Sequence, residues 1–396
     1  MNRPALEVAD ILRAFAGRFI ERSRTRISWP QHKVMRAIER CRTAALGWHR
    51  DRCSKCGEDL GVSFNSCRNR HCPKCQTHPR NRWVAARIGE LVPVNYFHVV
   101  FTVPQQLSEL MLQNKRILYN LLFRCASATL LEVAANPKRF GAEIGFLCVL
   151  HTWGQTMMHH PHLHCVVPAG GFAPGGGAWV RPKSAGFFLP KWALAEVFRG
   201  KFHDGLKALY RRKQLAFHGS LAWLQEPRSF ARFLHTLHRH DWVVDVRKPF
   251  GGPEHVLHYL ARYTHRVAIS NHRLLALEDG RVTFRWKDYA HGGKQRKMTL
   301  AAEEFIRRFL LHVLPKGLVR IRYYGWMANR CRRQCAAQCR ALLAAQSVDA
   351  SPPSVADAPR RRCPQCGGAV EVIEMILPRE LSRYRIRRRL LEPDTS

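Results

Sequence analysis

Residues 159–167 read HHPHLHCVV, and this stretch decides the predicted fold. The apolar residues around its histidines predict a β-strand. Because side chains alternate between the two faces of a strand, His162 and His164 share one face and Leu163 points to the other, into the core. Two imidazoles side by side provide half of a site for a divalent ion. The alternative is a pair of histidines on a solvated sheet face, which gives the same pattern.

Further strands and helices are predicted on both sides of this stretch. Apolar runs typical of strands occupy residues 97–103, 144–152 and 242–246, and a long helix is predicted for about 105–135. This order of elements predicts an α+β fold, with an antiparallel sheet, the histidine strand at its centre and helices packed against it.

A second segment rich in functional side chains follows some way along the chain. Residues 255–266 read HVLHYLARYTHR and are predicted to be helical. Tyr259 and Tyr263 are four residues apart, so both hydroxyls leave one face of the helix, a single turn apart. Such a pair is often only half-buried packing. Its combination with a His-x-His strand is much rarer than either feature alone.

The charge of the chain indicates the kind of partner. Lys and Arg number 65 against 29 Asp and Glu, which gives a net charge of +36. An excess of this size repels itself unless a polyanion neutralises it, so nucleic acid is the expected partner. A merely basic protein of the ribosomal type remains an alternative on composition alone.

The cysteines indicate zinc. Fourteen are present, and without a signal peptide they favour metal binding over disulfides. Two Cys-x-x-Cys pairs, Cys53 with Cys56 and Cys72 with Cys75, are expected to complete one tetrahedral Zn²⁺ site. The candidates for a second zinc ion lie in the same segment and are Cys41, Cys67, His71 and His78.

A further Cys-x-x-Cys pair, Cys363 with Cys366, lies near the end of the sequence and forms half of a zinc site. Cys331, Cys335 and Cys339 repeat every fourth residue, so they line one helical face and could complete it. The alternative is an orphan pair, with these three cysteines serving as small packing residues.

Three motifs, in this order, carry a resemblance to a known family. They are SCRNRHCPKC at 66–75, HPHLHCVVPAGG at 160–171 and YLARYTHR at 259–266. The chain resembles the rolling-circle insertion-sequence transposases of the HUH superfamily, which have two catalytic tyrosines and an N-terminal zinc-binding domain. The likeness covers about residues 35–330 and includes the stretch 305–330. The histidine motif alone would also fit plasmid replication initiators and relaxases, but the zinc segment and the paired tyrosines favour the transposases.

The resemblance implies the roles of individual residues. His162 and His164 would bind Mg²⁺ or Mn²⁺, and Gln155 is the candidate for a third ligand. Tyr259 and Tyr263 would be nucleophiles that attack single-stranded DNA and form a 5′-phosphotyrosine. The released 3′-hydroxyl would prime synthesis by the host replication machinery.

Basic and aromatic residues interleave in two further stretches, at 281–289 and 320–326. Such surfaces can stack bases while they neutralise phosphates, although core aromatics beside solvated arginines would look the same. The residues predicted to contact DNA are Arg68, Arg70, Arg262, Arg285 and Arg322. A non-catalytic zinc-dependent DNA-binding protein is the alternative of another class.

Four segments are predicted along the chain. They are a helical arm at 1–40, a zinc-binding domain at 41–90, an HUH catalytic domain at 91–345, and a linker with a Cys-x-x-Cys tail at 346–396. No segment reads as a signal peptide or as long enough to cross a membrane. A cytoplasmic, nucleoid-associated protein is therefore expected.

Overall fold

The computed structural model describes residues 4–23, 27–76, 83, 87, 90–184, 186, 188–240, 242–250, 267–345 and 362–377. The predicted tyrosine helix at 255–266 and residue His78 lie outside these ranges.

The described α-helices, in chain order, are α1 (Val8–Arg22), α2 (Trp29–Glu39), α3 (Ser108–Gln113), α4 (Lys115–Ala135), α5 (Lys191–Arg211), α6 (Pro227–Arg239), α7 (Ala302–Leu311) and α8 (Arg332–Ala344). The described strands are β1 (Trp48–Cys53), β2 (Asp59–Phe64), β3 (Tyr96–Thr102), β4 (Gly145–Trp153), β5 (His159–Pro168), β6 (Gly171–Phe172), β7 (Trp179–Val180), β8 (Val244–Phe250), β9 (Leu274–Glu278), β10 (Arg281–Asp288), β11 (Lys294–Ala301), β12 (Ile321–Gly325) and β13 (Val370–Ile376). The chain is thus a mixture of helices and antiparallel sheets, and the predicted α+β class is confirmed.

The chain divides into two compact units. The first contains Met1–Arg82, Ile269–Val313 and Asp357–Ser396, and the second contains Trp83–Ala268 and Leu314–Ala356. The domain boundaries expected at residues 40, 90 and 345 stay predictions, because the two units are defined by contacts between segments that are distant in the sequence.

The second unit is built on a five-stranded sheet with the order β12-β4-β5-β3-β8. Every neighbouring pair is antiparallel. The histidine strand β5 lies in the middle, between β4 and β3, as the sequence predicts. A central strand is held by hydrogen bonds on both sides, so the positions of its side chains are well defined.

One face of this sheet is covered by a large apolar core. Alternate residues of β3 and β5, including Phe101 and Leu163, point into it together with apolar side chains of α4 and α5. Leu163 is completely buried, as expected from the alternation of the strand. His162 and His164 consequently occupy the opposite face.

The opposite face carries a smaller core at one end. Val149 and Val166 of the sheet pack there with Trp179, Trp326 and Leu343, the last of which belongs to α8. The two tryptophan rings meet edge to face, with centroids 6.0 Å apart. β5 extends beyond this smaller core. The positions of β5 that the core leaves uncovered on the same face are those of His162 and His164.

Helix α4 is the one described helix long and apolar enough to cross a membrane. The sequence was expected to contain no segment of that length. Most of the helix is buried, and it packs against α5 within the main core. Burial of this kind is typical of a core helix.

The first unit contains two three-stranded sheets, with the orders β13-β1-β2 and β11-β10-β9. Helix α1 packs against α2 and α7. A capping box starts each of the first two helices, from Glu7 and Asp10 in α1 and from Ser28 and Gln31 in α2, and satisfies amide groups that the first turn leaves free.

Candidate metal centre

Three histidines from two adjacent strands form the candidate metal centre. His162 and His164 lie on β5, and His151 lies on β4 directly opposite His162. One ring nitrogen from each of the three lies within 4.8 Å of the others. The Nε2 atoms of His162 and His164 are 3.0 Å apart. The alternation of β5 and the register of β4 therefore bring three ring nitrogens close enough together to hold one ion.

Hydrogen bonds on the far side of two rings fix their orientation. His162 Nδ1 lies 2.7 Å from the carbonyl oxygen of His160. A carbonyl only accepts, so this nitrogen carries the proton and Nε2 keeps its lone pair. The Nδ1 of His164 lies 2.7 Å from Nε2 of His98, which β3 supplies from the next strand. This support is of the kind that orients metal-binding histidines.

The environment keeps the imidazoles neutral. Burial lowers the pKa of His162 to about 4. Burial, aided by the neighbouring His151 and His162, lowers the pKa of His164 well below its ordinary value. Burial also lowers the pKa of His98 to about 3. Neutral rings at physiological pH are the form that donates a lone pair to a metal.

The third position of the centre was expected to be Gln155. That residue lies, half-buried, in the turn between β4 and β5, and its role as a ligand stays a prediction. His151, which the sequence analysis missed, is the residue that the geometry groups with His162 and His164. Its signal was present in the sequence as a histidine at the end of a predicted strand, but only the register shows which partner it faces.

Eight of the fourteen cysteines form two clusters of four. The first contains Cys41, Cys67, Cys72 and Cys75, and the second contains Cys53, Cys56, Cys363 and Cys366. The expected grouping, in which Cys53 and Cys56 share an ion with Cys72 and Cys75, is not the one found. The fold places Cys72 and Cys75 beside Cys41 and Cys67. It places Cys53 and Cys56 beside the distant pair Cys363 and Cys366.

The first cluster is compact. Its sulfur atoms lie 3.3 Å apart for Cys41 and Cys75, 3.6 Å for Cys67 and Cys75, and 3.7 Å for Cys41 and Cys72. Hydrogen bonds from the thiols of Cys67 and Cys72 lower the pKa of Cys41 to about 7. His71, a candidate ligand of the expected second ion, is not in this cluster and is buried beside Asn69, with its Nδ1 3.1 Å from that side chain.

Comparison with known proteins gives this arrangement a context. A family model described as a putative transposase matches residues 145–335, and one described as a transposase zinc-binding domain matches residues 11–103. A putative transposase of Sinorhizobium fredii, y4qJ, is 50% identical over 380 residues, which are 92% of this chain and 94% of the relative. The chain belongs to the IS91/IS801 family of transposases.

A second relative supports the same assignment to the transposases. The transposase for insertion sequence element IS801 of Pseudomonas savastanoi is 30% identical over 267 residues, 67% of this chain and 62% of the relative. No solved structure matches the chain.

The two family matches cover different candidate metal sites of the transposase. The match at 145–335 includes β4 and β5, and with them the three histidines. The match at 11–103 includes the whole first cysteine cluster, which accordingly belongs to a zinc-binding domain. A transposase acts on DNA, so the net charge of +36 is explained by its partner.

The arginines predicted to contact DNA have different environments in this transposase. Arg68 is exposed, whereas Arg70 is partly buried, and burial lowers its pKa. Arg285 is exposed and donates a hydrogen bond to the carbonyl of His272. Arg322 packs over the ring of Phe123 at 4.0 Å. The last predicted DNA-contacting residue, Arg262, and the predicted nucleophiles Tyr259 and Tyr263 lie outside the described part of the chain.

Proposed function

We propose that this transposase nicks and rejoins single-stranded DNA through a 5′-phosphotyrosine intermediate and so drives rolling-circle transposition. The observation that carries the proposal is the convergence of His151, His162 and His164 on one point of the central strands. The imidazoles of His162 and His164 are neutral and oriented by hydrogen bonds, which suits them to holding a catalytic metal.

The histidines fit a divalent ion. When two nitrogen ligands each lie about 2.1 Å from a metal ion and form a right angle at the ion, they are about 3 Å apart. The Nε2 atoms of His162 and His164 have this separation. Bound Mg²⁺ or Mn²⁺ would polarise the scissile phosphate. Because Mg²⁺ strongly prefers oxygen ligands and Mn²⁺ accepts imidazole nitrogen more readily, we expect Mn²⁺ to support activity better.

Tyr259 and Tyr263 are the proposed nucleophiles. A tyrosine oxygen attacks the phosphorus, the bond from phosphorus to the 3′-oxygen breaks, and the tyrosine proton ends on that oxygen. The products are a 5′-phosphotyrosine and a free 3′-hydroxyl. The covalent bond retains the phosphodiester energy, so attack by a 3′-hydroxyl on the phosphotyrosine reseals a strand without ATP. The released 3′-hydroxyl can also prime host replication.

Exposed basic side chains would hold the DNA. Among the described arginines predicted to contact DNA, Arg68 and Arg285 are the most accessible to a phosphate backbone. Phosphate contacts of this type give affinity that decreases steeply with salt. Because the substrate is cellular DNA, we propose a cytoplasmic, nucleoid-associated location.

The proposal is tested with 3′-labelled single-stranded DNA that carries the ends of the element, because the label then stays on the strand that the tyrosine captures. The full chain is incubated with this DNA and Mn²⁺, and covalent adducts are resolved on a denaturing gel. The wild type is expected to form an adduct, and the double variant Tyr259→Phe/Tyr263→Phe is expected to form none while it retains DNA binding. The variant His162→Ala should also bind DNA without forming an adduct.

Two outcomes would contradict the proposal. An adduct that persists in the double tyrosine variant would exclude these residues as the nucleophiles. DNA binding by the wild type with no adduct at any Mn²⁺ concentration would favour a DNA-binding role without chemistry.

A further inference from the structure

The second cysteine cluster joins two parts of the chain that are far apart in sequence. Cys53 and Cys56 lie at the end of β1, whereas Cys363 and Cys366 precede β13. The family match for the zinc-binding domain ends at residue 103 and does not include the second pair. All four residues nevertheless belong to the same compact unit.

The sulfur atoms of this cluster have the spacing of zinc ligands. Cys53 and Cys366 have Sγ atoms 3.5 Å apart, and those of Cys56 and Cys363 are 3.7 Å apart. All four sulfurs lie within 4.8 Å of one another. In a tetrahedral site with zinc–sulfur bonds of about 2.3 Å, sulfurs are about 3.8 Å apart.

The two Cys-x-x-Cys pairs also have the same backbone structure. In each, the glycine after the second cysteine has a left-handed conformation, with φ +72 at Gly57 and +69 at Gly367. The amide of that glycine donates to the carbonyl of the first cysteine, at 3.1 Å for Gly57 and 2.9 Å for Gly367. The amide of the first cysteine in turn donates to the carbonyl of the residue five positions later, Glu58 or Gly368, at 2.9 Å in both.

Strand pairing connects the two turns directly. All six residues of β1, from Trp48 to Cys53, pair with β13. Beyond the paired strands, the amide and the hydroxyl of Ser54 both donate to the carbonyl of Ala369, at 2.9 and 3.0 Å. These contacts fix the second cysteine pair at a defined position beside the first.

A close approach at Gly368 indicates that the cluster is a built site. A Cβ at this position would lie 2.7 Å from Cβ of Lys55 and 2.9 Å from Sγ of Cys53. Both distances are too short for real contacts, so only glycine allows the two turns to come together here. A side chain at this position would push the sulfur ligands apart.

From these observations we propose that Cys53, Cys56, Cys363 and Cys366 bind a second, structural zinc ion. The site makes β13, β1 and β2 a zinc ribbon that is assembled from both ends of the sequence. With four thiolate ligands the ion has no open position, so its role is to hold the C-terminal strand on the N-terminal sheet.

The proposal corrects both sequence-based interpretations of Cys363 and Cys366. They are not an orphan pair, and Cys331, Cys335 and Cys339 do not complete their site. Those three cysteines lie at the start of α8 or within it, where the Cys331 sulfur contacts backbone carbonyls and Cys339 is fully buried.

The experiment measures zinc content and thiol protection in the full chain, without DNA. Wild-type protein purified without chelator is expected to contain one zinc ion for each of the two four-cysteine clusters. The variant Cys363→Ser/Cys366→Ser should contain a single ion. In pulsed alkylation with mass spectrometry, Cys53 and Cys56 should become reactive in this variant while Cys41, Cys67, Cys72 and Cys75 stay protected.

Two further variants separate ligand loss from misfolding. Cys335→Ser is the matched control and should keep both ions. Gly368→Ala retains every ligand but opens the gap between the turns, so it should weaken zinc binding at this site by about tenfold or more. Its Cys53, Cys56, Cys363 and Cys366 should become reactive together.

The proposal is overturned if the double cysteine variant keeps the wild-type zinc content. It is also overturned if that variant loses zinc but Cys53 and Cys56 remain as protected as in the wild type. Unchanged alkylation of all four cysteines in Gly368→Ala would contradict the predicted geometry in a protein that still contains every ligand.

Discussion

His98 lies outside the proposed metal ligands but contacts one of them, His164. Its Nε2 lies 2.7 Å from Nδ1 of His164, and its ring stacks on that of His164 with centroids 5.0 Å apart. Both contacts hold the imidazole of His164 so that its Nε2 faces His162. In the proposed mechanism His98 would be a positioning residue that touches neither the DNA nor the reacting phosphate.

Loss of the His98 side chain should weaken metal binding more than it affects the fold. In His98→Phe the hydrogen bond to His164 is lost, and the half-saturating Mn²⁺ concentration for nicking is expected to rise about 10–100-fold. In His98→Gln the side-chain oxygen can still accept from His164, so the rise should be smaller. Excess Mn²⁺ should restore nicking in both variants.

The measurement is the rate of nicking as a function of Mn²⁺ concentration, with thermal unfolding as the control. A loss of nicking in His98→Phe that excess Mn²⁺ does not restore would argue against a positioning role. The same conclusion would follow if His98→Phe had the Mn²⁺ dependence of the wild type.

The identity of the third metal ligand can be decided by comparing two alanine variants. His151→Ala removes a nitrogen that lies within 4.8 Å of those of His162 and His164, so the Mn²⁺ affinity should fall by about tenfold or more. Gln155→Ala changes a half-buried turn residue and should have a much smaller effect. Isothermal titration with Mn²⁺ measures both affinities, and the reverse order would restore Gln155 as the ligand.

At the scale of single elements, alternation within a strand was predictable but the pairing of strands was not. The period of two in β5 is enough to place His162 and His164 on one face with Leu163 in the core. His151 could not be assigned in this way, because its position opposite His162 depends on the register of β4 against β5. A shift of one residue would have turned it to the other face.

The edge strand β12 ends at a glycine, Gly325, that lies close to the backbone of Ile144. Gly325 has φ +59, and a Cβ there would clash with the carbonyl oxygen of Ile144. Gly317 has φ +75 but open space around it. Gly317→Ala should therefore cost only the backbone strain of about 1–2 kcal/mol, whereas Gly325→Ala adds a steric clash and should cost about 2–5 kcal/mol.

Hydrogen exchange of the amides in β12 and β4 measures this difference, because it reports the free energy of local opening. Protection of β12 should fall clearly in Gly325→Ala and change little in Gly317→Ala. Equal losses in the two variants would mean that backbone strain alone, and not the close approach to Ile144, makes glycine necessary at position 325.

At the scale of the whole molecule, the chain crosses repeatedly between its two compact units. Residues 269–313 and the C-terminal tail both belong with the N-terminal segment, while the family match at 145–335 runs through both units. Each Cys-x-x-Cys pair is recognisable in the sequence. The pairs were expected to share a zinc ion with cysteines close to them in the sequence, and the observed clusters are different. The pairing of β13 with β1 joins residues near opposite ends of the sequence. No local sequence pattern indicates a contact between residues so far apart along the chain.

The most demanding test of the whole molecule concerns the number of tyrosines that a complete transposition cycle needs. Tyr259 and Tyr263 lie outside the described residues, so their roles rest on the proposed mechanism. On a helix, four residues span about 6 Å, a gap that a small shift of the helix or the DNA could cover. Each hydroxyl could then attack in turn at one metal centre.

Variants that lack one tyrosine hydroxyl distinguish a mechanism with two nucleophiles from a mechanism with one. If both act, Tyr259→Phe and Tyr263→Phe should each retain one nicking event and form an adduct, while transposition in a cell is abolished in both because the second cut is missing. The His98→Gln variant, which keeps both hydroxyls, is the control for altered metal binding. If Tyr259→Phe transposes like the wild type while Tyr263→Phe is inactive, the enzyme uses one nucleophile, and Tyr259 is a packing residue on the same helical face.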